Sequence, residues 1–292
     1  MLKPSLSAIA LLLLGGAVAG GVAAKGNRTA GGGNAVQGGG GGAAAFTSSV
    51  AAVRIAPLAV LPRAPADAGE GDCSHLLQTP RSAAGWMVAN KGWKVTGEAP
   101  VGRYQAVSFV GRMEQGTSGS CLLDAGNVAL FEGTALRAIV HGADGSTAAV
   151  GHVEPMEGGA LRIWNGDFLS QPVADLAAGA DGGAMVTAPA PEEKVCRGKG
   201  MVPNIYGMPI DKARAALARA GWTPVRAEMV PTDPRAADLI RHGVIEVDDC
   251  SGTGFGFCGF AYRGGAGALS VTTVGDAEMP EVSGYGVTCS GA

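Results

Sequence analysis

Pro209–Trp222, PIDKARAALARAGW, is the stretch from which the fold is read. Ile210, Ala213, Ala216, Leu217 and Ala220 recur at helical spacing and make one apolar face. Asp211, Lys212, Arg214 and Arg219 take the other, with Asp211 in the first turn where a negative charge complements the helix dipole. Gly221 suits the left-handed position that ends a helix. A related stretch stands earlier as Pro80–Trp93, PRSAAGWMVANKGW, where Thr79 and Pro80 fit an N-cap and a first helical position. Pro80, Gly92 and Trp93 lie at one constant offset from Pro209, Gly221 and Trp222. Cys121 and Cys250 keep that offset, as do Ala84 and Ala213, and Phe131 and Phe260. The pattern predicts an α+β protein of two tandem small modules, each a helix packed on an antiparallel sheet and disulfide-bonded.

Alternating residues supply the strands of those sheets. Gln105, Val107 and Phe109 alternate, as do Cys258, Phe260 and Tyr262, Leu269, Val271 and Thr273, and Tyr285, Val287 and Cys289. The modules are placed at 72–176 and 195–292, with an Ala/Gly/Pro-rich linker at 177–194. Residues 25–71 hold the Gly38–Gly42 run and read as a flexible tether, because they bury too little apolar surface to offset ordering. Residues 1–24 have the form of a signal peptide: Lys3, the apolar Leu6–Leu14, then small residues at Val22-Ala23-Ala24. The apolar run, broken by Gly15 and Gly16, is shorter than the roughly 18–20 residues of a span. The expected protein is therefore periplasmic or secreted, with no stable membrane span after cleavage.

Net charge is −3, without a Lys/Arg run, which argues against a nucleic-acid partner. Six cysteines (Cys73, Cys121, Cys196, Cys250, Cys258, Cys289) without a C-x-x-C pair fit disulfides in an oxidising compartment better than a metal site. If the two modules are duplicates, Cys73–Cys121 and Cys196–Cys250 are equivalent bridges and Cys258–Cys289 is an extra clasp. The competing scheme joins Cys250 to Cys258 and Cys196 to Cys289.

Few residues carry readable chemistry. Gly116-Thr117-Ser118-Gly119-Ser120 resembles the Gly-x-Ser-Gly turn of chymotrypsin-like proteases. The only His upstream of it, His75, lacks that family's setting, so Thr117 and Ser118 are read as a polar binding loop and not as an enzyme's. Trp164, Asn165 and Asp167 form a turn suited to stacking and hydrogen bonding. Thr253 and Phe255 lie in a second candidate loop, Ser251–Phe257. Trp93 and Trp222 are expected as core plugs. No cofactor or metal ligand set is read.

Val202-Pro203-Asn204, Gly207, Ala213, Ala216, Leu217 and Gly221 resemble the opening of a PASTA domain, over about 25 residues (202–225). The second half of that family's pattern is missing here, and cysteines stand in its place. The resemblance implies a bacterial cell-envelope protein that binds peptidoglycan or another envelope component without catalysis. The alternative expectation is a secreted inhibitor of a lysozyme- or protease-type hydrolase, with a protein partner.

Overall fold

The computed structural model describes residues 44–143, 148–228, 231–252 and 254–291. Strand makes up 44% and helix 12%, so the chain is mostly β and not the expected pair of helix-on-sheet modules. The expected signal peptide and the first part of the tether lie outside the described residues.

First come β1 (Phe46–Ser48), β2 (Val53–Pro57), β3 (Gly69–Glu70) and helix α1 (Ala83–Ala89). Two hairpins follow, β4 (Lys94–Val101) with β5 (Tyr104–Val110) and β6 (Arg112–Gln115) with β7 (Cys121–Asp124). Next, β8 (Asn127–Glu132) pairs with β9 (Ala135–Gly142). A meander of β10 (His152–Pro155), β11 (Leu161–Trp164), β12 (Pro172–Ala178) and β13 (Ala184–Thr187) completes this half.

Two five-stranded sheets result, ordered β1-β13-β12-β11-β10 and β2-β9-β8-β5-β4. Leu130 and Val140 of the second meet Leu161, Ile163, Leu176 and Val186 of the first in a shared core, making a β-sandwich. The β2–β4 sheet is apolar on its other face too. There Phe109, Ala129 and Phe131 pack under Trp93 and Val88 of α1. Burial on both faces is why β8 reads as a nearly unbroken apolar run. At the β4/β10 edge side-chain hydroxyls bridge the two sheets. Thr96 Oγ1 donates to the Gly151 carbonyl at 2.8 Å, and the Val153 N–H donates to Ser108 Oγ at 3.3 Å. A Cβ on Gly97 would lie 2.8 Å from Ser108 Oγ, so only glycine permits this approach.

The C-terminal half starts with the hairpin β14 (Glu192–Val195) and β15 (Gly200–Pro203), then helix α2 (Ile210–Arg219). It continues through β16 (Thr223–Pro224), helix α3 (Pro234–Arg241) and β17 (Val247–Cys250). β18 (Cys258–Gly264), β19 (Gly267–Val274) and β20 (Glu281–Cys289) close it, with β18 pairing β16, β17 and β19. Ile210, Ala213 and Leu217 of α2 and Leu239 of α3 share a core with Phe260, Tyr262, Leu269 and Val271.

Several expectations are corrected. β1, β2 and β3 form where the tether was expected to run to residue 71, and β13 and β14 occupy the expected 177–194 linker. Short apolar pieces such as VRIAP gain enough burial against β9 to be ordered despite Pro57. α1 starts later than Thr79 and Pro80 suggest. Its N-cap is Ser82, whose hydroxyl accepts from the Gly85 N–H at 2.9 Å. The Glu98 carboxylate accepts from the N–H groups of Arg81 and Ser82, which holds the preceding residues extended.

The disulfides are Cys73–Cys121, Cys196–Cys289 and Cys250–Cys258. The Cys196–Cys250 and Cys258–Cys289 bridges implied by duplication do not form. Cys121 bonds upstream and Cys250 downstream, and α3 has no counterpart between Trp93 and Cys121. The constant offset therefore reports one way of ending a helix, used twice. Gly92 and Gly221 take φ of +87° and +86°. The buried Trp93 and Trp222 then donate their indole N–H groups to the carbonyls of Pro62 and Met201, each at 2.8 Å.

The halves meet on the outer face of the β1–β10 sheet. Arg162, 2% exposed, forms two hydrogen bonds to Asp175 (3.0 and 3.3 Å) and one to Glu193 of β14 (3.2 Å). Beside it Trp164 meets Tyr206 edge-on at 5.1 Å, and Tyr206 meets Tyr285 at 4.6 Å.

Candidate binding site

The Cys73–Cys121 bridge organises the site from below. It ties the short 3-10 turn Ser74–Leu76 to β7, next to the turn Thr117–Gly119 that enters that strand. Across from them runs the loop after β11. There the Asn165 side-chain carbonyl accepts from the N–H groups of Gln171 (2.9 Å) and Asp167 (3.4 Å), and its amide donates to Asp167 at 3.2 Å. Gly166 stitches loop to strand: Leu123 N–H donates to its carbonyl, and its own N–H donates to Ala148. The Phe168 ring lies over Gly116, where any Cβ would stand 2.6 Å from it.

Between these walls opens a cleft of about 430 Å³. Its polar lining includes His75, Gln78, Ser120, His152, Glu154 and Asp167, and its apolar lining Leu76 and Phe168. Phe168 and Leu76 are 36% and 37% exposed, so an aromatic and an aliphatic surface are free for a ligand. His152 stacks flat on Trp164, with ring centroids 5.7 Å apart and planes 2° from parallel. Its Nε2 stands 3.7 Å from Glu154. That contact holds the Glu154 carboxyl below its ordinary range, against partial burial, with further help from the charges of His152 and Arg162. The cleft thus keeps a carboxylate through the physiological range beside two imidazoles. Among the described residues, no group of three or more His, Cys, Asp or Glu is placed to hold a metal ion.

Comparison of the chain with protein-family models, curated proteins and solved structures finds no match. The site must be read from its own geometry.

That geometry gathers some of the candidate residues and disperses others. Asn165 and Asp167 line the cleft, and Gly119 and Ser120 of the Gly116–Ser120 loop join them. Thr117 and Ser118 form the adjoining turn, in which the Thr117 carbonyl accepts from both the N–H and the hydroxyl of Ser120. Asn165 is a builder of the loop, since its amide is engaged within it. Trp164 is half-buried behind His152 and Tyr206. The exposed ring belongs to Phe168. Phe255 stands apart, edge-on to Phe257 at 6.0 Å in the loop closed by Cys250–Cys258, and Thr253 lies outside the described residues. The sequence reading missed Gln78, His152, Glu154 and Phe168. Phe168 follows Asn165-Gly166-Asp167 directly, so the turn itself was the available signal for it.

Proposed function

We propose that this chain is an exported, non-catalytic binding protein of the bacterial envelope, whose cleft beside Cys73–Cys121 takes peptidoglycan. The carrying observation is the pairing of an exposed aromatic ring, Phe168, with Asp167, His75 and His152 on walls fixed by a disulfide and a self-bonded loop. An aromatic face with flanking hydrogen-bonding groups suits a sugar or stem peptide, which presents both apolar C–H faces and polar edges. Three disulfides favour an oxidising compartment, and among the described residues no helix is long and apolar enough to cross a membrane. The PASTA-like opening at Val202–Gly221 supports the choice of polymer.

The test is co-sedimentation with purified peptidoglycan. Wild-type protein is expected in the pellet, and Phe168→Ala with Asp167→Ala is expected in the supernatant. Absence of wild-type protein from the pellet rejects the reading. A hydrolase-inhibitor role is the second reading, supported by the Ser251–Phe257 loop, which a disulfide closes and so pre-organises. Co-purification with a lysozyme or protease, lost on Phe255→Ala, would select it.

A further inference from the structure

The three disulfides do not stand in equivalent surroundings. Cys73 is fully buried and Cys121 nearly so. Cys258 borders a recess that also holds Asp238, Asp276 and Glu278, and its arginine, Arg235, is bound to Asp233 and Asp276. Cys196–Cys289 differs from Cys73–Cys121 in access and from Cys250–Cys258 in charge, since Cys250 and Cys289 are both half-buried. It lines an open recess of about 130 Å³ with Arg197, Lys199, Ser290 and Gly291, and no carboxylate is in that lining. Cys289 is only half-buried, and among the described residues neither Arg197 nor Lys199 takes part in an ion pair.

The backbone at this bridge is strained as well. Cys196 and Arg197 take φ of 58° and 59°, the left-handed region that residues with a Cβ rarely adopt. The turn they form joins β14 to β15 and holds the sandwich. The N–H groups of Arg197 and Gly198 donate to the two oxygens of Glu157, at 2.6 and 2.8 Å, from the turn between β10 and β11. One short segment thus combines an accessible disulfide, unpaired cations, stored backbone strain and a clasp between the halves.

We propose that Cys196–Cys289 is a thiol-exchange site, opened by a dithiol reductant of the oxidoreductase type and releasing the Glu157 clasp when it opens. A reductant thiolate attacks the Cys289 sulfur, the more exposed of the pair. A mixed disulfide forms there, and the Cys196 sulfur leaves as a thiolate beside Arg197 and Lys199, whose charge favours that form. The reductant's second thiolate then attacks its own sulfur in the mixed disulfide. It departs as a disulfide and leaves Cys289 as a thiolate, so two electrons have passed to the protein. The turn is then free to leave the left-handed region and withdraw its N–H groups from Glu157.

Graded dithiothreitol on the intact oxidised chain, quenched by alkylation and read by peptide mapping, tests this. Cys196 and Cys289 should be labelled about tenfold faster than the other four cysteines, the scale on which access and local charge separate disulfides. The Arg197→Ala, Lys199→Ala pair should slow that labelling at least about threefold, because the leaving thiolate loses its stabilising charge. Hydrogen exchange after selective reduction should show lost protection at Arg197 and Gly198 with β8 unchanged. The proposal is overturned if another bridge opens first or all three open together. An unchanged rate in the double variant, or undiminished protection at Arg197 and Gly198, overturns it equally.

Discussion

Gly166 shows how single backbone atoms decide the site. A Cβ there would lie 1.8 Å from the Leu123 carbonyl oxygen, which the strand cannot yield without losing its bond to the loop. Gly166→Ala should cost roughly 2–4 kcal/mol in urea unfolding, as a backbone clash at a special position does, and should release the Phe168 loop. Gly85→Ala makes a sharper case. Helix propensity alone favours alanine by about 1 kcal/mol. Yet a Cβ at Gly85 would stand 2.3 Å from Glu98 Oε1, whose carboxylate caps the approach to α1. The substitution should therefore leave stability about unchanged, a cap loss of roughly 1 kcal/mol offsetting the propensity gain; a variant stabilised by the full propensity gain would show the cap to be dispensable. At this scale the sequence was legible by residue type and not by role. Asn165 is a polar turn residue as read, but its amide is consumed inside the loop, and nothing in the order of residues shows which carbonyl an amide will meet.

Among elements, the helix ends were the clearest text. Gly followed by Trp marks both, because a left-handed glycine turns the chain back over the helix and a large ring fills the corner. Trp222→Phe keeps the ring but leaves the Met201 carbonyl without its indole donor, and should cost about 1 kcal/mol by chemical denaturation. The charged joint between the halves was not legible. Arg162 and Asp175 face each other across β11 and β12, and Glu193 comes from β14, so no spacing connects the three. Arg162→Ala should cost about 3–5 kcal/mol, since it leaves Asp175 buried without its cation. A change under 1 kcal/mol would mean that water already serves Asp175 there. Individual strands such as β5, β18, β19 and β20 could be read from alternation. Their sheet order could not, because period-two patterns fix which face a side chain takes and say nothing of the neighbouring strand.

For the whole molecule, stability should follow pH through loop carboxylates. Asp249 is held below the ordinary aspartate range first by the Cys250 N–H, and Asp181 first by the Gly183 N–H and then that of Ala45. A depressed folded pKa contributes stability in full above the unfolded value and loses it as pH falls through the folded one. The urea midpoint should therefore hold steady from pH 7 to about 5 and fall below about pH 4. A midpoint unchanged at pH 2.5, or Asp181→Asn leaving the acid limb unaltered, would contradict this. β1 adds a constraint of another kind. It lies parallel to β13, Phe46 beside Ala184, while β2 waits for β9. A polypeptide delivered N-terminus first, from a ribosome or through a membrane pore, presents these strands long before their partners exist. Closing such long loops is slow. β2 therefore has no partner until Gly142 has emerged, and β1 has none until Val186, well past the chain's midpoint.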